Sequence, residues 1–168
     1  MIHNARHTLL RNCGMISFVD ACERGNLPEA QRLLRQGGVN MHAYNDVAFR
    51  LACWNGQLQV AKWLFELGGV NIHAANDDAF QRACGHGHLE VARWLYGLGG
   101  VDIHANDDFA FTMACALHFQ CCLARWLIAM EPEWAWPADG IRILQTWTPA
   151  RDVWFRAVVG GDHQCPTR

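Results

Sequence analysis

Residues Asn76 to Ala105 read "NDDAFQRACGHGHLEVARWLYGLGGVDIHA". The stretch holds Cys84, His86 and His88 in close succession, residue types that bind metal. It also closes on "GGVDIHA", and "GGVNIHA" (Gly68 to Ala74) stands just before it. Either the cluster is a site, or the stretch is one tile in a row. The spacing decides. Ala-Cys recurs at Ala21-Cys22, Ala52-Cys53, Ala83-Cys84 and Ala114-Cys115, each pair 31 residues after the last. His42, His73 and His104 keep that step, as do Asp46, Asp77 and Asp108, and Phe49, Phe80 and Phe111. Leu27, Leu58 and Leu89 agree, with Ala30, Ala61 and Ala92. This register predicts four tandem units, at about 16–38, 39–69, 70–100 and 101–131, the first and fourth imperfect.

Each unit reads as two short helices. Asp77 is placed as an N-cap, its carboxylate accepting from free backbone N–H groups. Ala79, Phe80, Ala83 and Cys84 follow at helical spacing, with alanine where another helix must come close. Gly87 breaks this helix, since glycine takes positive φ in a turn without steric cost. A second helix is predicted from about Leu89 to Leu98, with Leu89, Ala92, Leu95 and Leu98 along one stripe. Gly99 and Gly100 end it. "VDIHAND" then crosses to the next unit as an extended loop or narrow turn. One such pair cannot cover its own apolar face, and stacked neighbours can, which is the logic of a solenoid.

Composition is consistent with this. The chain has 168 residues, 51% hydrophobic and 18% charged, with a net charge near -2. That charge offers no field for nucleic acid or an anionic membrane, and no polybasic run is present. No apolar run approaches the roughly 18 residues of a membrane span. The first fifteen residues lack the apolar centre of a signal peptide, so the chain is expected inside the cell, in the cytoplasm. The eight cysteines are then expected as free, mostly buried thiols. Equivalent positions in stacked helices lie about 8–10 Å apart, beyond the about 7 Å that a disulfide tolerates.

"GHLEVARWL" (Gly87 to Leu95), "GQLQVAKWL" (Gly56 to Leu64) and "GNLPEAQRL" (Gly25 to Leu33) resemble the second-helix start of the ankyrin repeat. "GGVNIHA" and "GGVDIHA" resemble its closing loop, with His73 and His104 where that family usually has Asn. The resemblance covers about Phe18 to Met130. It departs in the period of 31 against the usual 33, and in "VAFR", "DAFQ" and "FAFT" in place of Thr-Pro-Leu-His. The stretch before the first helix is three residues short, and "GGV" adds one after the second. The wording is similar to short-finger ankyrin arrays of giant DNA viruses and protists. The resemblance implies an all-α ankyrin-like solenoid with short or absent β-hairpin fingers. Residues 1–15 and 132–160 would cap the ends. The latter reads as two helices rich in tryptophan, with 161–168 a frayed tail.

The candidate chemistry has bland rivals. A structural zinc needs four ligands. Cys84 repeats Cys53 and Cys115, and His88 matches the family's turn histidine, so no metal or other cofactor is expected. His42, His73 and His104 form an even column, which suits a repeated structural task and not a nucleophile with one base. No catalytic residue is expected. Trp63, Trp94 and Trp126 share one position of the second helix and are read as packing. Trp54 follows the Ala-Cys pair where Gly85 and Ala116 stand in other units, and is read as an anchor in a groove.

The resemblance implies a non-catalytic module that binds another protein through its concave groove, as a monomer, with no nucleic acid or membrane partner. Positions that differ between units are free to meet that partner. The candidates are Glu23, Arg24, Tyr44, Arg50, Trp54, Asn55, Asp78, Gln81, Arg82, His86, Phe109, Thr112 and Leu117. The alternatives are an architectural linker within a larger assembly and, third, an enzyme on a repeat scaffold.

Overall fold

A computed structural model describes residues 14–116 and 121–130. The expected C-terminal cap, the tail, Leu117 and all but the last two residues of the expected N-terminal cap lie outside them. The described residues form eight helices: α1 over 14–23, then α2 (Leu27–Gln36), α3 (Ala43–Trp54), α4 (Leu58–Glu66), α5 (Ala74–Gly85), α6 (Leu89–Leu98), α7 (Ala105–Ala116) and α8 (Cys121–Met130). No strand occurs among the described residues. Four helix pairs follow one another in chain order, and α6 has the expected bounds.

Two different spacings shape the stack. Ala48 and Ala52 of α3, Ala79 and Ala83 of α5, and Ala110 and Ala114 of α7 are buried. Small side chains let first helices lie close, α3 on α5 and α5 on α7. Second helices stand further apart, because large rings fill the space between them. Trp94 packs on Phe49 and Phe65 of the preceding tile, at ring separations of 6.2 and 5.8 Å. Trp126 does the same with Phe80 and Tyr96, at 6.3 and 5.6 Å, and Trp63 packs on Phe18. Such pairs contribute about 0.5–1.5 kcal/mol beyond their burial. Close first helices and splayed second helices curve the stack toward the first-helix layer. Phe18, Phe49, Phe80 and Phe111 run through it as a fully buried column, each worth about 1.5–3 kcal/mol.

The link between tiles is not an extended loop. Tyr44, Asn45 and Asp46 all take left-handed backbone angles, with φ between 54° and 56°. Ala75, Asn76 and Asp77 repeat this, and so do Asn106, Asp107 and Asp108. Left-handed residues cost roughly 1–2 kcal/mol each for most side chains, less for Asn and Asp. The carboxylate at the end of each run offsets that cost. Asp77 is buried. It accepts from Nδ1 of His73 at 2.6 Å and from the backbone N–H of Asp102, in the next tile, at 3.2 Å. Asp46 likewise accepts from His42 at 2.7 Å and from the N–H of Asn71 at 3.0 Å. Asp108 accepts from His104.

The expected N-cap role of Asp77 is thereby corrected. The residue stands directly before the right-handed helix, but its carboxylate is used between tiles. The histidine column does the structural task expected of it, with a carboxylate as intermediary. The ring of His42 also lies on Gly69, and His73 on Gly100. A Cβ at either glycine would come within about 3.2 Å of the ring, and both have positive φ.

Two stability measurements follow from this turn. Asp77→Ala removes both bonds, one of them part-buried between tiles, and should cost about 1–3 kcal/mol in urea unfolding. Glu66→Ala, at an exposed site, should stay within about 0.5 kcal/mol. Ala75→Gly, exposed and at φ 57°, should gain about 0.5–1 kcal/mol by relieving the left-handed strain.

Candidate functional site

The groove face is built from one stripe of each first helix. On α3, Ala48, Phe49, Ala52 and Cys53 face the core. Val47, Arg50, Leu51 and Trp54, at helical spacing, fall on the other side. With Asp78 and Arg82 of α5 they line a hollow of about 190 Å³. Asp78 is its electrostatic hub. One carboxylate oxygen accepts from Arg50 at 2.8 Å, and the other from Nε of Arg82 at 2.6 Å. The Arg82 guanidinium lies 4.2 Å from the centre of the Trp54 ring, a cation–π contact. His86 packs beside Trp54 at 5.2 Å between rings. Trp54, Asp78, Arg82 and His86, singled out separately in the sequence, form one cluster. Trp54 is half-buried in it, not the freely exposed ring expected of an anchor.

Other candidates are spent inside the stack. Gln81 is 5% exposed, and its Nε2 donates to the carbonyl of Asn76 while its Oε1 accepts from Asn106 of the next tile. Both ends of its amide are therefore engaged within the stack. Arg50 does the same work one tile earlier. It donates to the carbonyls of Asn45 and Tyr44 and crosses to Asp78. Asn55 donates back to the Leu51 carbonyl. Arg24 is exposed and pairs with Asp20, and Thr112 is half-buried. Phe109 and Tyr44 are exposed, Tyr44 by 77%.

Sequence reasoning named Glu23 and Tyr44 but not the apolar residues of the first tile beside them. Met15, Ile16, Val19, Asp20, Glu23, Tyr44 and Val47 line a second hollow of about 350 Å³. The available signal was Ile16, an exposed isoleucine one period before Val47 and two before Asp78.

Four of the cysteines and His88 keep to packing positions. Cys22, Cys53, Cys84 and Cys115 are free and buried. Burial pushes the Cys22 and Cys115 thiols up to about 12 and raises Cys53 and Cys84 as well. Such thiols hold their protons and make poor nucleophiles. Among the described residues no three His, Cys, Asp or Glu side chains converge on a common point. His88 lies against Gly56 of the preceding tile and bonds the backbone of Trp54. Gln57 lies against Gly25 in the same way. In the first tile Asn26, with a shorter side chain, caps its own helix by accepting from the N–H of Glu29.

A family model for ankyrin repeats, in three copies, matches residues 18–107, more than half of the 168-residue chain. The chain belongs to the ankyrin repeat family. The 31-residue spacing, the all-helical tiles and the "GHLEVA" turn are thus features of an ankyrin stack, whose repeats are generally protein-interaction modules and typically non-catalytic. No curated protein matches the chain. No helix among the described residues is long and apolar enough to cross a membrane.

Burial lowers the His88 pKa below its ordinary 6.5, the Trp54 backbone bond opposes this, and the charge of His86 adds to the fall. The unfolded chain then binds the proton more readily than the folded one. Stability is therefore fully present above about pH 6.5 and falls as pH drops through the window beneath it. His88→Gln, which borrows the residue of the second tile, should remove that part of the acid sensitivity. Thermal melts of both proteins between pH 7.5 and 5 read it as a smaller loss for the variant.

Proposed function

We propose that this ankyrin array binds a partner protein along the groove face of α1, α3, α5 and α7. Tyr44 carries the reading. Its ring is largely exposed on left-handed backbone, a conformation that glycine and asparagine take with less strain. Ala75 and Asn106 occupy the equivalent places in the next tiles, so the fold does not call for an aromatic there. An exposed Tyr at strained backbone adds nothing to the stack and suits an interface, where Tyr and Trp are frequent anchors. Ile16 and Phe109, both exposed, and the Trp54 cluster extend the surface across four tiles. The partner-facing set is thus Glu23, Arg24, Tyr44, Trp54, Asp78, Arg82, His86, Phe109 and Thr112. The whole face mixes apolar, aromatic and cationic groups, as protein interfaces do.

The test is capture of a partner by the immobilised chain from its native lysate. Tyr44→Asn and His86→Ala should each weaken retention at least about tenfold, or about 1.4 kcal/mol. Arg32→Ala and Arg93→Ala on the second helices should leave it unchanged. Retention that survives every groove substitution would assign the chain an architectural role instead.

A further inference from the structure

The hollow between α3 and α5 holds one acidic and two basic groups. Asp78 has both oxygens occupied, by Arg50 and by Arg82. Arg50 is further tied to the carbonyls of Tyr44 and Asn45. Arg82 differs. Its Nε is held by Asp78, and one guanidinium face lies over Trp54. Its two Nη groups donate to nothing among the described residues, and its side chain is 37% exposed. The guanidinium is thus fixed at two points, and its outer edge stays open. Fixing it beforehand lowers the entropy lost on binding.

We propose that this edge recognises the side-chain carboxylate of an Asp or Glu in a partner peptide. This rests on the groove reading above and adds the chemistry of the contact. The planar Nη edge matches the two oxygens of a carboxylate, and such bidentate pairs are the strong form of the interaction. The local charge of two arginines against one aspartate leaves one positive charge uncompensated. The hollow of about 190 Å³ holds roughly six waters at their liquid volume of about 30 Å³, room for a carboxylate and its methylenes. Val47, Leu51 and Trp54 supply apolar walls for those methylenes. First helices continue on both sides, α1 before and α7 after, so the site reads a residue within a segment and not a chain end. His86 is exposed beside Trp54, which carries the other face of the contact.

The experiment is selection of random linear peptides, displayed as internal segments, on the full chain. Enriched peptides should share an Asp or Glu. Changing that residue to its amide should weaken binding to the unaltered protein at least about tenfold, and Arg82→Gln should do the same to the acidic peptide. The amide peptide should bind Arg82→Gln and the unaltered protein alike, since the two changes remove one contact. The peptide-side change keeps the test intact if Arg82→Gln unfolds. Peptides that lack an acid and ignore Arg82→Gln, yet are weakened by Tyr44→Asn or His86→Ala, would overturn this inference and leave the groove reading standing. Peptides indifferent to all three variants, or no peptides at all, would overturn both. Displacement of the acidic peptide by single-stranded RNA, lost in Arg82→Gln, would reassign the edge to phosphate and overturn the carboxylate.

Discussion

A buried aspartate ties the second tile to the third, and another ties the third to the fourth. Asp46 and Asp77 each accept from a histidine four residues back and from a backbone N–H 25 residues ahead. The first bond holds the left-handed turn closed. The second sets the distance and rotation at which the following tile begins. Both are made to a buried carboxylate and are charge-assisted, which makes them stronger than neutral bonds. The alanine and phenylalanine columns can align only if this step repeats faithfully. The tie therefore precedes the packing in the order of causes, although packing supplies most of the energy.

The fold was legible because a repeat samples the same physics several times. A single Ala-Cys pair says little, whereas four at one spacing locate a close helix contact. Helix stripes, the breaking glycine and the double-glycine stop all follow from local rules and were readable. The left-handed turn was not read, although Asn45-Asp46, Asn76-Asp77 and Asp107-Asp108 are the residue types that tolerate it. Three in a row is uncommon, and one strained residue per turn is the ordinary expectation. The bonding of Asp77 was hidden for a different reason. An aspartate before a helix normally caps that helix, and its partner here lies in another tile.

The candidate site is legible in part, and the limit lies in what variation between tiles means. Variation between tiles suggests freedom to meet a partner, but it has a second source. Arg50 and Gln81 differ in charge and size, yet both reach the carbonyl of the left-handed turn and both cross to the next tile. A position can vary because two side chains solve one internal problem. Trp54, Asp78, Arg82 and His86 vary in another sense. They have no equivalent in the other tiles, and their mutual contacts depend on two tiles meeting. Only coordinates bring such a cluster together, because its members lie on two helices and its contacts cross from one to the other.

The buried thiols carry a consequence of their own. Cys22, Cys53, Cys84 and Cys115 place one sulfur at the same depth in each tile. An alkylating reagent meets each sulfur only when its own tile breathes. The order in which the four react would rank the openings along the array, telling fraying from one end apart from a single concerted event. The molecule thus carries a clock in every layer, without a label having to be introduced.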